Sequence, residues 1–261
     1  MAALKILLAG ETFRATTLVA VGTDVIASAS QTNGAVAFNA ALATADVAVT
    51  QIGSEQCGSE FPTSVEALRQ YGAVVISDVG ALSLLITPET RLGRCGVNRL
   101  EVLKNYVEAG GGLVMAGGYM GFQGMFGGAK FFDTPVEDVL PVRCLPYSDG
   151  LEVPEGLRPA IRRDTHPILA GIEEPLPAIL GLNKVSFRYD GSSTLVATCS
   201  HRNSHWPLLA TRCVGKGRTV AWTTDIGPHW LSAEFLGWPH YGRLMSNMVL
   251  WASGKDPVVP A

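Results

Sequence analysis

The sequence contains few charged residues, and none of its apolar runs is long enough to cross a bilayer. Charged residues make up 16% of the 261 positions, hydrophobic residues make up 47%, and the formal net charge is −3. Lysine and arginine form no cluster, which argues against a surface that follows the phosphates of a nucleic acid. A transmembrane helix needs roughly 20 consecutive apolar residues. We therefore expect a compact globular protein with no nucleic-acid partner and no membrane span.

Sequence signals for disulfides, cofactors and metals are also missing. The five cysteines are scattered and form no C-x-x-C pair, so we expect free thiols in a reducing compartment, the cytoplasm. The glycine-rich run Gly117 to Gly128 has neither the GKS or GKT ending of a phosphate loop nor G-x-G-x-x-G spacing. His201 and His205 would share one face of a helix, as zinc ligands can, but they lie between two strand signals and are expected in a solvated loop. No cofactor and no metal site is predicted.

Strand and helix signals alternate through the first half of the chain. The short apolar run Leu4 to Ala9 contains Lys5 and is interpreted as a buried strand rather than as a signal peptide. Further strands are predicted at Asp46 to Ile52, Ala73 to Ser77 and Leu113 to Ala116. Helices are predicted after an N-cap at Ser64 or Thr63 and over Arg99 to Ala109. This alternation is typical of βαβ units, and it predicts an α/β fold with a mostly parallel sheet and helices on both faces.

The second half is richer in strand signals. Strands are predicted at Ser193 to Cys199, Pro207 to Arg212 and Arg218 to Thr223, and the turn Val214 to Gly217 predicts a β-hairpin between the last two. A closing helix is expected over Gly242 to Trp251, followed by a loose tail from Ser253 to Ala261. No repeat and no long linker divides the chain, so residues 1–261 are predicted to form a single domain. The high apolar fraction also predicts a homo-oligomer.

A glycine-rich turn follows the strand within Gly112 to Gly124 (GLVMAGGYMGFQG). Its centre, Gly117-Gly-Tyr-Met-Gly121, resembles the nucleophile elbow of class I glutamine amidotransferases, in which a strand leads through G-x-Cys-x-G into a helix, but Tyr119 occupies the position of the cysteine. The chain is more specifically similar to amidotransferase-like proteins of unknown activity. Six stretches carry this similarity: Gly10-Glu11, Val75 to Gly80, Gly117 to Gly124, Asp133 to Val142, His166 to Gly171 and Thr224 to Trp230. Gly121 departs from the pattern, in which serine is expected.

The resemblance implies a flavodoxin-related sheet, but it does not imply glutaminase activity. Glutamine hydrolysis in that class forms a thioester on a thiolate that a nearby histidine activates. Tyrosine, with a pKa of about 10, is a poor acyl carrier at neutral pH. Because no cysteine of this chain occupies an elbow, we expect no thioester chemistry.

The candidate site residues lie at predicted strand ends, where open α/β sheets bind ligands. We predict that a small polar ligand contacts Glu11, Asp78, Gly118, Tyr119, Phe122, Asp225, His229 and Trp230. Two alternatives remain open. The chain could be a hydrolase of amide or related bonds, with Asp225 or Glu11 as general base and His229 as its partner. It could also be a scaffold that has lost its site, in which the carboxylates cap helices, brace loops or pair with an arginine.

Overall fold

The computed structural model describes residues 3–257, so the part of the predicted tail from Val258 to Ala261 lies outside the described residues. The strands are β1 (Leu4–Gly10), β2 (Thr12–Val21), β3 (Asp24–Asn33), β4 (Val47–Ile52), β5 (Ala73–Ser77), β6 (Gly112–Ala116), β7 (Val142–Arg143), β8 (Gly150–Leu157), β9 (Pro159–Ile161), β10 (Ile179–Asn183), β11 (Ser186–Phe187), β12 (Ser193–His201), β13 (Ser204–Val214) and β14 (Gly217–Trp222). The α-helices are α1 (Val36–Thr44), α2 (Cys57–Glu60), α3 (Val65–Leu68), α4 (Ala81–Leu85), α5 (Pro88–Arg91), α6 (Arg99–Glu108), α7 (Pro135–Val139), α8 (Ala233–Leu236) and α9 (Tyr241–Ala252).

An eight-stranded sheet runs through the molecule in the order β4-β1-β5-β6-β14-β13-β12-β9. The strands β4, β1, β5, β6 and β14 are parallel to one another, and β13, β12 and β9 extend the sheet with antiparallel pairings. The carboxyl ends of the five parallel strands therefore lie at one edge of the sheet. The α/β architecture with a mostly parallel sheet, predicted from the alternation of strand and helix signals, is confirmed.

The two faces of the sheet carry two hydrophobic cores. Side chains alternate along β1, so that Ile6 and Leu8 enter one core while Leu7 and Ala9 enter the other. Helices α1 and α9 cover the first core, and helices α3, α4, α6 and α7 cover the second. A parallel strand buried between two layers of helices needs apolar residues on both faces, which is why β1 has no polar alternation beyond Lys5.

Local sequence signals account for where the helices begin and end. The Ser64 side chain accepts a hydrogen bond from the backbone N–H of Ala67 and caps α3. The Asn98 side chain caps α6 in the same way, since it accepts from the first free amides of that helix. Gly110, at φ 118°, ends the helical segment in a backbone conformation that favours glycine.

The region between β1 and β4 differs from the sequence prediction, which places no strand there. Strands β2 and β3 form a long antiparallel hairpin, paired without interruption from Thr12 with Asn33 to Val21 with Asp24. We call this hairpin, residues 12–33, the arm. Every residue from Phe13 to Asn33 is exposed. The arm buries neither face, so its sequence lacks the alternation by which a half-buried strand is recognised.

The prediction of a solvated loop around His201 and His205 is wrong. The two histidines lie in β12 and β13, which only Arg202 and Asn203 connect. His205 Nδ1 lies 2.7 Å from Ser200 Oγ across this hairpin. The two residues between the strands are too few to form a loop, so the histidines take part in the strand pairing.

The helices and the cysteines can be compared with the sequence predictions. Within residues 3–257, no helix combines the length and the apolar character that crossing a bilayer requires. The five cysteines are free thiols; Cys57, Cys144 and Cys199 are buried, whereas Cys95 and Cys213 are exposed.

Candidate functional site

Residues predicted to form the site follow four neighbouring strands of the sheet. Glu11 follows β1, Asp78 follows β5, Gly118 and Tyr119 follow β6, and Asp225 follows β14. These strands are adjacent and parallel, so their carboxyl ends place the five residues at one edge of the sheet. His229 and Trp230 lie in the turn after Asp225. The structure thus brings together the residues that the sequence places at the strand ends.

The backbone of this edge is strained at several positions. The φ angle is 61° at Glu11, 46° at Asp78 and 107° at His229, while Gly118, at 130°, adopts a conformation that glycine tolerates. A non-glycine residue held in such a conformation costs about 1–3 kcal/mol, and strain of this kind concentrates at functional sites. Backbone hydrogen bonds hold Glu11 in place, since its N–H donates to Ser77 O and its carbonyl oxygen accepts from the N–H of Gly34, which directly follows the arm.

Glu11 is almost fully buried, with 3% of its surface exposed. Its Oε1 accepts a hydrogen bond from Ser77 Oγ, so its partner is a serine and not the arginine of the scaffold alternative. Burial raises the pKa of Glu11 to about 8, and the charges of Asp78 and Asp225 add to the increase, while the bond from Ser77 opposes it. Glu11 therefore keeps its proton at neutral pH.

Asp78 and Asp225 flank the Cα atom of Gly118. A Cβ atom at Gly118 would lie 2.9 Å from Asp78 Oδ1 and 2.8 Å from Asp225 Oδ1, so only glycine leaves room for both carboxylates. Asp78 Oδ1 accepts a hydrogen bond from the Met120 N–H, and Asp225 Oδ2 accepts one from the Trp230 N–H at 2.8 Å. Both aspartates brace loops, as the scaffold alternative expects, and both also approach the same point of the sheet edge.

The pKa values of these groups follow from their burial and from their mutual charge. Burial, with the charge of Asp225, raises the pKa of Asp78 to about 6. Burial also raises the pKa of Asp225, against its hydrogen bond with His229. His229 Nδ1 lies 3.2 Å from Asp225 Oδ2, and Nε2 lies 3.6 Å from Glu152 Oε1. The bond to Asp225 is the main reason that the pKa of His229 is raised, and the negative charges of Asp225, Glu152 and Asp78 contribute.

Above these buried groups, the side chains of Tyr119, His229 and Glu152 face the solvent. Tyr119 is 38% exposed, and its ring lies edge-on to His229 with 4.6 Å between the centroids. Trp230 is fully buried beneath these two rings, and its Nε1–H donates to Glu152 Oε1 at 2.9 Å. Burial and the neighbouring Glu152 raise the pKa of the Tyr119 phenol. The phenol, the imidazole and the Glu152 carboxylate thus form a polar rim over the buried carboxyl groups.

Glu152 and two residues that hold the elbow were not predicted from the sequence. Asn183 Oδ1 accepts from the Gly118 N–H at 3.0 Å, and its Nδ2 donates to Asp149 Oδ1 at 2.8 Å. Asp149 in turn accepts from the Gly124 N–H at 2.9 Å. Asn183 closes β10 and Asp149 precedes β8, in a small antiparallel sheet that no motif connects to the elbow. Their role becomes recognisable only in three dimensions.

The elbow departs from the class I amidotransferase motif in two ways. After Tyr119 the chain enters turns and the 3₁₀ helix Met125–Gly127, and no α-helix begins there. The class I motif, by contrast, leads directly into a helix at this point. At Gly121, a Cβ atom would lie 2.7 Å from Ala116 O, so the serine expected from the resemblance would require the loop to shift.

Phe122 does not line this edge of the sheet, contrary to the sequence prediction. Its side chain is 0% exposed and packs in the core on the α6 side of the sheet. Within the described residues, no three His, Cys, Asp or Glu side chains are arranged to hold a metal ion.

Comparison with known proteins identifies the family. The model of the family described as "Putative glutamine amidotransferase", which is GATase1-like, matches residues 5–253. The chain therefore belongs to this amidotransferase-like family, as its motifs indicated. A search of curated proteins finds no match.

Two solved structures from Salmonella resemble the chain over nearly its whole length. The cytoplasmic protein STM3548 of Salmonella typhimurium is 31% identical, with a TM-score of 0.88 over 95% of this chain and 99% of that chain. The cytoplasmic protein STM1381 of Salmonella typhimurium LT2 is 30% identical, with the same TM-score and coverage. A thua-like protein from Parabacteroides merdae ATCC 43184, 13% identical with a TM-score of 0.56 over 98% of this chain and 92% of that chain, shares the fold alone.

Proposed function

We propose that the protein binds a small polar ligand with a cationic amine at the carboxyl ends of β1, β5, β6 and β14. One observation carries this proposal: Glu11, Asp78 and Asp225 lie together beneath the rim formed by Tyr119, His229 and Glu152. The charged groups that act on the pKa values of the three buried carboxyls are other carboxylates and His229. Since Glu11 is uncharged, the negative potential of this edge comes from the carboxylates of Asp78, Asp225 and Glu152, which outnumber the imidazole of His229 and attract a cation. Glu11, protonated at neutral pH, would supply a hydrogen-bond donor.

We further propose that the protein does not hydrolyse glutamine through a thioester. Tyr119 occupies the elbow position at which the resemblance expects the nucleophilic cysteine. Burial raises the pKa of Cys57 and of Cys199 to about 12, and that of Cys144 also rises. These thiols therefore stay protonated and are poor nucleophiles.

The strand order and the similar proteins support two further proposals, on the type of fold and on the location of the protein. The five parallel strands follow the order second, first, third, fourth and fifth along the sheet, the order of flavodoxin-like folds, whose ligands bind at the carboxyl ends of the strands. The two Salmonella proteins are described as cytoplasmic. We propose a flavodoxin-like sheet and a cytoplasmic location for this chain as well.

A hydrolase of amide or related bonds is the second candidate, and the pair of Asp225 with His229 favours it. A carboxylate bonded to Nδ1 orients an imidazole so that Nε2 can accept a proton from water. Glu11 suits this scheme as a general acid rather than as the base, because it is protonated at neutral pH. Hydrolysis of an amide or ester that His229→Gln abolishes would favour this candidate over simple binding.

A thermal-shift screen tests the binding proposal. The panel pairs primary amines with analogues that lack the amine and also contains divalent metals. Binding to the native state adds about 2.7 kcal/mol of stability at a ligand concentration of 100 Kd. We expect amines to raise the melting temperature and their amine-free analogues to leave it unchanged. Stabilisation by anions or metals alone would contradict a cationic ligand, and no stabilisation by any compound would favour the scaffold alternative.

A further inference from the structure

The arm is a large feature of the molecule that the candidate site does not use. Its side-chain hydrogen bonds to the rest of the chain lie at its foot. Thr12 Oγ1 and Gln31 Nε2 donate to the carboxylate of Glu55 at 2.7 and 2.6 Å, and Asn33 Nδ2 donates to Gln51 Oε1 at 3.0 Å. Every residue beyond Thr12 is exposed as far as Asn33. An isolated two-stranded hairpin is marginally stable in water, so an arm of this length calls for a partner.

The outer half of the arm is apolar on both faces. Val19 and Ile26 pair across one face, and Leu18 and Val25 belong to the other. The exposed fraction of these four side chains is 48%, 60%, 69% and 66%, respectively. Contiguous exposed apolar surface on a globular protein marks an interaction site. The arm therefore presents an apolar tip that water alone covers in the single chain.

The edges of the arm are equally unprotected. Monomeric proteins blunt exposed strand edges with lysine, proline or β-bulges. Residues 12–33 contain no lysine and no proline, and the β2–β3 register runs without a bulge. Arg14 and Asp24 are the charged residues of the arm, so its formal charge is balanced. An arm without a cationic cluster is poorly suited to an anionic membrane surface, and its balanced charge does not repel a second copy of this chain.

We propose that a second copy of this chain covers the arm, so that two arms hold a twofold-symmetric dimer together. Each strand has 10 residues and spans about 33 Å at roughly 3.3 Å per residue. With a width of about 10 Å for two strands, one face covers about 330 Å². If each arm lies with one face on a part of the partner outside the partner's own arm, four areas of about 330 Å² are removed from water. Their total of about 1,300 Å² exceeds the roughly 1,000 Å² that a specific interface needs. A second copy is also present wherever the chain itself is present.

Sedimentation velocity of the full chain tests the dimer. The arm variant is Val19→Lys with Val25→Lys, one on each face of the arm, and the matched control is Leu92→Lys, at an apolar side chain outside the arm that is 70% exposed. At about 10 µM we expect twice the monomer mass for the wild type and for the control. We expect the monomer mass for the arm variant, with a dimer Kd raised at least 100-fold, because a lysine of each chain would be buried at the interface whichever face is covered. Circular dichroism melting establishes that the variants fold.

Three outcomes would overturn the proposal. The first is a wild-type monomer at 100 µM, and the second is an arm variant that dimerises like the control. The third is a monomer that binds vesicles of anionic phospholipid through the arm, which would identify a membrane as the occupant. Hydrogen exchange on the wild type gives an independent result if the variant does not fold. We expect the arm amides to exchange slowly in the dimer and rapidly on dilution, and exchange that is rapid at every concentration would also overturn the proposal.

Discussion

Replacing Glu11 with glutamine tests the electrostatics of the candidate site quantitatively. The pKa of Glu11 is about 8 in the folded protein, against an ordinary value of 4.5. Below pH 4.5 the Glu11 carboxyl is protonated in the folded and in the unfolded chain, so it favours neither of them. Between pH 4.5 and 8 unfolding releases its proton, so the free energy of unfolding falls as the pH rises. The difference of about 3.5 pH units corresponds to about 5 kcal/mol at 1.36 kcal/mol per unit. Glutamine is never charged and still accepts the bond from Ser77, so Glu11→Gln should not lose this stability.

The assay is chemical denaturation of both proteins at a series of pH values from 4 to 9. We expect the free energy of unfolding of Glu11→Gln to exceed that of the wild type by an amount that grows through this range and approaches about 5 kcal/mol at pH 9. Glu55→Gln is the control. The bond from Thr12 lowers the pKa of Glu55, so Glu55→Gln should be less stable than the wild type rather than more stable. The difference in the free energy of unfolding should stay small, because Glu55 is exposed. A difference for Glu11→Gln that does not change with pH would refute the assignment of a protonated Glu11.

Three further predictions concern the elbow and its neighbours. Gly118→Ala should destabilise the fold by about 3 kcal/mol in denaturant unfolding, because φ is 130° and a Cβ would meet two carboxylates. The control Gly150→Ala, where a Cβ would meet no other atom, should change stability by less than about 0.5 kcal/mol. Equal effects of the two substitutions would contradict this account of Gly118. Asp225→Asn should lower the pKa of His229, followed by NMR titration of its ring protons, since the bond to Asp225 is the main cause of the increase; an unchanged pKa would mean that the pair is not formed. The wild type should release no ammonia from glutamine above background, and release that a thiol alkylator abolishes would contradict the proposal.

Much of the fold could be predicted because buried strands carry a readable pattern. The strands β1, β5 and β6 are continuous apolar runs, and their connection by helices requires a parallel sheet. The arm could not be predicted, because its strands bury neither face and so show no periodicity. The ends of the parallel strands identified Glu11, Asp78, Tyr119 and Asp225 in advance, since parallel topology alone places them at one edge.

The remaining part of the site comes from residues whose roles depend on long-range packing. Asn183 and Asp149 reach the elbow from a small antiparallel sheet, and Glu152 joins the rim from the same sheet. No spacing in the sequence relates these residues to Tyr119. Phe122 shows the opposite error, because its proximity to the elbow in sequence suggested a contact with ligand, whereas the turn directs its ring into the core.

The most direct test of the ligand site is calorimetric titration of the amine that gives the largest thermal shift into the wild type and into Tyr119→Phe. The phenol lies on the rim and is 38% exposed, so removing its hydroxyl should leave the melting temperature nearly unchanged. The loss of one hydrogen bond to the ligand should weaken binding by about 1 kcal/mol, or about fivefold. Tyr189→Phe, at a tyrosine that is 90% exposed and lies outside the site, should bind like the wild type. Equal affinity in the wild type and Tyr119→Phe would contradict a binding site centred on the elbow.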